Sequence, residues 1–323
     1  MEMKKSNRSF FDKYKRELVV FFTVIIIFGI FMLTGPNVFL KSDIYFAVFS
    51  TVPVAIILTV ALVFIIASGE LDLSFGSAMG VTAMIFSYAN TFFHNPYLGF
   101  IFALIGGVFI GLINGVLVTK VKLPSLVSTL GMMFLLRGLI LVITQARMFP
   151  ATSLVNSFFY NIFLKKIGKF PMQMFWAILF TTICWLLFNK FRFGAHVKFV
   201  GDNRASAKEM GVNIDRTIIT AFCLVGVAAT FSGILSTLIN LQFVSTLGDA
   251  YLLIVLAGVF LGGNPTWGGV GTIIGAFLGA LVLGFFHSGI IAAGLTAYWT
   301  QLFYGLIIIF AVIGHRFNVN KKF

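Results

Sequence analysis

Long apolar runs, each cut off by a few polar or basic residues, set the rhythm of this chain. Stretches free of Asp, Glu, Lys and Arg include Leu18–Leu40, Ile44–Gly69, Leu73–Thr119, Phe170–Asn189, Thr217–Leu238 and Ala250–His315, and Pro124–Thr144 carries only Arg137. A helix needs about 20 residues to cross the hydrocarbon layer of a bilayer. Leu73–Thr119 is therefore read as two crossings, divided at Asn90–Pro96. Ala250–His315 is read as three, divided near Gly262–Gly269 and Ser288–Ala297. Pro171 is placed for the first turn of the sixth helix. The eighth expected helix is short and flanked by glycine. The pattern predicts an all-α polytopic transmembrane bundle of about ten spans.

Composition leads to the same class. Of 323 residues, 59% are hydrophobic and only 10% charged, with a mean hydropathy of +1.02. A soluble domain carries about 25% charged residues to cover its surface, so a water-soluble protein is excluded. The 40 phenylalanines exclude a disordered chain.

The net charge of +13 is spread over the connections between apolar runs rather than over one folded face, which argues against nucleic acid. Its placement orients the bundle instead. One side collects the basic residues of Lys4–Arg16, Lys120, Lys122, those of Lys190–Arg216, and Arg316, Lys321 and Lys322; the other has Lys41, Arg147, Lys165, Lys166 and Lys169. The positive-inside rule then predicts both termini in the cytoplasm. Three parts are expected: a cytoplasmic segment 1–17, a transmembrane domain 18–315 with a long cytoplasmic loop 189–216, and a tail 316–323. Thr34-Gly35-Pro36 offers no small-x-small cleavage site, so the first run is read as an uncleaved span.

Familiar chemistry is missing from the pattern. Cys184 and Cys223 lie singly in apolar runs, and His94, His196, His287 and His315 are scattered without acidic or thiol neighbours at ligand spacing, so no metal site is expected. There is no GxxxxGK[ST], GxSxG or HExxH motif. Gly269-x-Gly271 has no preceding strand and is not read as a nucleotide loop. Gly107, Gly111 and Gly115, and again Gly271, Gly275 and Gly279, form small-residue ridges that suit close helix packing in lipid. They fit packing within the bundle or an interface between subunits.

Ionisable groups inside spans usually mark solute or ion paths. Arg137 alone lies within a span, and it is read either as snorkelling to the outer interface or as lining a path. Glu70 and Asp72 sit at the inner junction of spans two and three. Asp72 or Ser74 can cap the third helix; the alternative is that this glycine-flanked polar break forms part of an inner gate. Asn114 and Thr129 complete the pore and gate candidates. In the cytoplasmic loop, a short helix is expected between Gly201 and Gly211, because Ala205, Ala207, Lys208 and Glu209 favour helix and Gly211 suits a C-terminal cap. Such a helix fits a groove on a soluble partner, or lies on the inner leaflet.

Four blocks carry a resemblance. SGELDLSFGSAMG at 68–80, GLINGVLVTKVKLPSLVSTLGMMFLLRG at 111–138, VGDNRASAKEMGVNIDR at 200–216 and AGVFLGGNPTWGGVGTIIGAFLGA at 257–280 resemble the permeases of ribose-type bacterial ABC sugar importers. The resemblance implies a ten-helix permease of the bacterial cytoplasmic (inner) membrane that pairs with a second permease copy, as a homo- or heterodimer. A cytoplasmic ABC ATPase supplies the energy and an extracytoplasmic sugar-binding protein delivers the solute. It implies that this chain binds no cofactor, and that ATP is used by the partner. The block at 200–216 matches the ATPase-docking segment, which assigns coupling to Gly201, Asp202, Asn203, Arg204, Ala205, Ala207, Lys208, Glu209 and Gly211. The chain departs from the common pattern in having Gly69-Glu70-Leu71 for Gly-Gly-Ile, Gly201-Asp202-Asn203 for Gly-Gly-Asn, and Tyr251-Leu252-Leu253 for Glu-Leu-Asp.

Two other classes compete. A secondary transporter driven by an ion gradient would normally keep a carboxylate in its core, and the acidic residues here fall in loops or at helix ends. A membrane enzyme would need a nucleophile and base in a recognisable motif.

Overall fold

A computed structural model describes residues 35–292, 295, 296 and 298–319, with isolated positions 25, 29, 32 and 33 ahead of them. Most of the expected first span, the segment 1–17 and the last four residues lie outside this set. After a single helical turn at Pro36–Phe39, the helices are α1 (Ser42–Thr51), α2 (Pro53–Ala67), α3 (Phe75–Phe93), α4 (Pro96–Thr119) and α5 (Ser125–Thr144). Next come α6 (Phe158–Leu164), α7 (Met172–Asn189), α8 (Arg192–Asp202), α9 (Arg204–Glu209) and α10 (Ile214–Asn240). The last are α11 (Tyr251–Leu261), α12 (Ile273–Ala292) and α13 (Tyr298–Val319). The described residues also hold a 3-10 turn at Thr152–Leu154 and two antiparallel strand pairs: β1 (Phe149–Pro150) with β4 (Gln242–Phe243), and β2 (Lys166–Ile167) with β3 (Phe170–Pro171).

Helix α2 is the axis of the bundle. All of its residues are buried and nearly all are apolar, as expected of a helix enclosed on every side. It packs against α10, α7, α12, α11 and α8. Pro53 opens it, and a bend of 54° separates it from α1. The break expected near Asn90–Pro96 falls at His94 and Asn95, where Asn95 caps α4 by accepting hydrogen bonds from the Tyr97 and Leu98 amides. Pro171 stands one residue ahead of α7 rather than inside its first turn, because it belongs to β3.

Among the described residues, five helices are long and apolar enough to cross a membrane, or up to six if α1 and α2 count as one bent span. Helix α3 is long enough but too polar, and its Ser77, Thr82, Ser87 and Asn90 are buried within the protein rather than facing lipid. Helix α11, at 11 residues, rises only about 16 Å at 1.5 Å per residue and cannot cross alone. The chain is thus a polytopic helical membrane protein in which two segments, at α3 and α11, depart from the simple spanning helix. Helix α13 continues past the expected boundary at His315 to Val319.

The glycine ridges pack inside the bundle. A Cβ built on Gly111 would lie 2.7 Å from Cys223 Cα, and one on Gly115 equally close to Ile219 Cα, so α4 and α10 touch backbone to backbone. Gly275 and Gly279 bring α12 onto Gly258 and Gly262 of α11 in the same way. At the end of the bundle opposite α8 and α9, Phe159 of α6 stacks on Phe86, with Tyr97, Phe100 and Phe163 around it.

These contacts generate the first test. Gly111→Ala should lower the melting temperature of the detergent-solubilised chain, by the equivalent of about 1–3 kcal/mol of overpacking. Gly131→Ala, where no atom lies within 4 Å, should melt as the wild type does.

Candidate functional site

The chain leaves α2 at Ser68 and does not become helical again until Phe75. Gly69 makes the turn with φ +81°, a conformation that a side chain would strain. The stretch 70–74 then threads between α4 and α5 without helical hydrogen bonds. Buried amides must find acceptors elsewhere, and α5 supplies two. Ser125 Oγ accepts from the Leu71 amide at 3.1 Å, and Thr129 Oγ1 from the Leu73 amide at 3.2 Å. Asp72 Oδ1 accepts from both the amide and the hydroxyl of Ser74, each at 2.7 Å. Asn114 Nδ2 of α4 donates to the same hydroxyl at 2.7 Å. Four of the expected gate residues, Asp72, Ser74, Asn114 and Thr129, therefore form one buried polar cluster. Asp72 orders the residue just before α3 and does not reach the amides of its first turn.

Glu70 points the other way, toward the basic end of the bundle. It is 6% exposed and pairs with Arg204 of α9. The two flank a cleft of roughly 440 Å³ that also touches Ser125, Lys122 and Asp215. A Lys120–Asp215 ion pair crosses this region, but both partners are substantially solvated and such pairs contribute little.

The connection 189–216 holds two helices where one was expected. Helix α8 precedes α9, and Gly201 lies near the end of α8 rather than in a loop. Asn203 then caps α9 by accepting from the Ser206 amide at 3.0 Å. Gly211 takes φ +78° just after α9. Asp202, Asn203, Arg204, Ala205, Lys208, Glu209 and Gly211 are exposed, but Ala207 is fully buried and packs toward the bundle. Ala207 thus belongs to the seat of α9 on the bundle, not to its outer face. In α8, Lys198 Nζ lies 4.2 Å from the Phe188 ring centroid, and burial there pushes its pKa below the ordinary lysine value.

Three glycine-rich connections meet at this end. A Cβ on Gly201 would lie 2.6 Å from the Gly269 amide nitrogen, and one on Gly268 would lie 2.8 Å from the Gly69 nitrogen. The Gly269 amide donates to the Ala67 carbonyl at 2.9 Å. Asn264 closes the turn between α11 and α12, donating to the Val259 carbonyl at 2.9 Å and accepting from the Thr272 amide at 2.7 Å. The ends of α2 and α8 and the 262–272 turn are thereby held at backbone contact.

Arg137 does not stand alone. Its guanidinium donates to the carbonyls of Ser245 and Leu247 and pairs with Asp249, all in the segment that precedes α11. Ser125, Asn264 and Asp249 were not singled out from the sequence. Ser125 carried a readable signal, a hydroxyl one helical turn ahead of Thr129.

A multispan bundle interrupted by a polar, non-helical segment tied to a loop at its basic end fits a membrane transport protein. The chain belongs to the family of branched-chain amino acid transport system / permease components, which matches residues 44–312. It is 27% identical over 312 residues to the ribose import permease protein RbsC of Escherichia coli K12, covering 95% of this chain and 96% of the relative. It is 29% identical over 304 residues to the autoinducer 2 import system permease protein LsrC of Photorhabdus luminescens, covering 92% and 89%. The LsrC protein of Yersinia pseudotuberculosis PB1/+ is 30% identical over 305 residues, covering 93% and 84%. No solved structure matches the chain. The protein is a multi-pass permease component of the ABC importer type in the bacterial inner membrane, without an ATPase site of its own.

The polar cluster is open to a direct test. Thr129→Val leaves the Leu73 amide buried without its acceptor and should cost about 1–3 kcal/mol. Asp72→Asn keeps an acceptor oxygen and should melt close to the wild type, whereas Asp72→Leu should yield less folded protein. Thermal unfolding in detergent reads all three.

Proposed function

We propose that this chain forms part of the translocation path of an ATP-driven importer of a monosaccharide of the ribose class. An extracytoplasmic binding protein delivers the sugar, and a second permease copy completes the path. A cytoplasmic ATPase docks on α9 through exposed residues that include Ala205, Lys208, Glu209 and Met210. The name of the RbsC relative supports a ribose-class solute, whereas the LsrC relatives are named for autoinducer 2. The same reading takes the bundle as ten crossings with both termini inside. Its crossings are the first apolar run, α1 with α2, α3, α4, α5, α7, α10, the segment 241–261, α12 and α13.

The observation that carries the proposal is the Glu70–Arg204 pair. Arg204 belongs to the segment read as the ATPase dock, and Glu70 begins the non-helical stretch whose next amide is held by α5. Movement of α9 therefore pulls on Glu70, and through Leu71, Asp72 and Ser74 on the helices that border the path. The Gly69–Gly201–Gly268 contact leaves no slack between these parts, because backbone atoms touch directly.

In proteoliposomes with the cognate ATPase and binding protein, Arg204→Glu should lower ATP-driven sugar uptake by about 5–150-fold, the usual range for a coupling free energy of about 1–3 kcal/mol. Combining it with Glu70→Arg should restore part of the loss. Wild-type uptake by the single variant removes the strut from the mechanism.

Topology is checked separately. A cysteine at Ala205 should react with a membrane-impermeant maleimide only from the cytoplasmic face, and one at Ser157 only from the other. Labelling of both from one face contradicts the ten-crossing count.

A further inference from the structure

The segment 241–250 turns back into the bundle without forming a helix. Leu241, with φ +54°, ends α10, and β4 then pairs with β1 at the end of the bundle opposite α8 and α9. From there the chain descends to Gly248, which lies against Gly76: a Cβ on Gly76 would sit 2.8 Å from the Gly248 carbonyl oxygen. A Cβ on Gly80 would meet the Leu247 carbonyl oxygen at the same distance. Arg137, which pairs with Asp249, lies about 18 Å along α5 from Ser125 at 1.5 Å per residue, away from both ends of that helix. In a hydrocarbon layer about 30 Å thick, a crossing by α5 therefore places Asp249 well inside rather than at either surface.

At that depth the Asp249 side chain is 57% exposed, although it pairs with Arg137, whose own side chain is 16% exposed. Thr246 and Ala250 beside it are exposed as well. An ionised carboxylate is not left facing acyl chains; ionisable groups within membranes face the bundle interior or a water-filled cavity. Irregular backbone at membrane depth follows the same rule, and 244–250 is irregular backbone. Arg137 holds the segment from behind through the Ser245 and Leu247 carbonyls. The carboxylate is thus presented on the open side of the segment.

We infer that Asp249 lines the aqueous translocation path at mid-membrane depth and offers carboxylate oxygens to the hydroxyl groups of the passing solute. This rests on the importer reading for the nature of the solute, but the position of the path does not depend on it.

The test uses the assembled transporter, permease with its ATPase, in proteoliposomes, with Cys184 and Cys223 replaced by alanine. Asp249→Cys and Thr246→Cys should react with a charged, water-soluble methanethiosulfonate reagent. Their rates should exceed that of Phe109→Cys on the apolar surface of α4 by at least about tenfold, since the thiolate exists only where water reaches it. Trapping the ATPase with vanadate should change the rate at Asp249→Cys. Reaction only with a lipid-soluble maleimide, or a spontaneous disulfide between two copies in place of modification, overturns the inference. Because Thr246→Cys leaves the Arg137–Asp249 pair intact, its reaction distinguishes an aqueous path from local unfolding of the segment. Charged-reagent labelling without uptake of any sugar would leave the path in place and remove the solute reading. Sugar uptake without labelling would do the reverse.

Discussion

A peptide segment packed inside a bundle without helical hydrogen bonds must find other acceptors for its amides. The stretch from Glu70 to Ser74 is such a segment. Its amides at Leu71, Leu73 and Ser74 are each met by a side-chain oxygen, from Ser125, Thr129 and Asp72. Without those three acceptors the break between α2 and α3 would not be a tolerable structure at this depth. With them, the break becomes a fixed polar lining between α4 and α5. The positions of α3, α4 and α5 all depend on that exchange of bonds.

Glycine makes the second constraint possible. At Gly201 and Gly268, which meet beside Gly69, and again where Gly76 meets Gly248, any side chain would drive the backbones apart. The first contact ties the loop at the basic end to the end of α2. The second sets Gly248, in the non-helical segment before α11, against Gly76 in the first turn of α3. Packed backbones are not compressible, and on the proposed mechanism the first contact would carry a displacement at the basic end to the polar cluster. The two breaks are placed at opposite ends of their crossings. One lies before α3 on the side of α8 and α9, and the other lies before α11 on the side of β1 and β4. The start of α3 and the residue pair before α11 nonetheless lie close together, through the contact of Gly76 with Gly248.

Much of this was legible from residue order. The breaks at Asn95 and near Gly262, the helix within 201–211 and the polar character of 70–74 all follow from charge, proline and glycine placement. The shortness of α11 was visible in the glycines that flank it. Helix α8 was not, because its aromatic and basic residues read as a connecting loop. Asp249 was passed over because it lies between two apolar runs, where a charge ordinarily marks a surface loop. The chain instead turns back into the bundle there, and nothing local to the sequence says so.

The sequence by itself determined that the chain lives in a membrane, since a tenth of its residues charged cannot cover a soluble surface. It also determined roughly where helices start and stop, and which end of the bundle is basic. These are properties of local composition and of hydrogen bonding within one segment. Only the tertiary structure decided that Glu70 pairs with Arg204, that Ala207 faces inward, and that Arg137 holds Asp249. Each of these joins residues far apart in the chain. Their partners are chosen by which backbones can approach and which buried polar groups remain to be satisfied, and neither exists until the helices have packed.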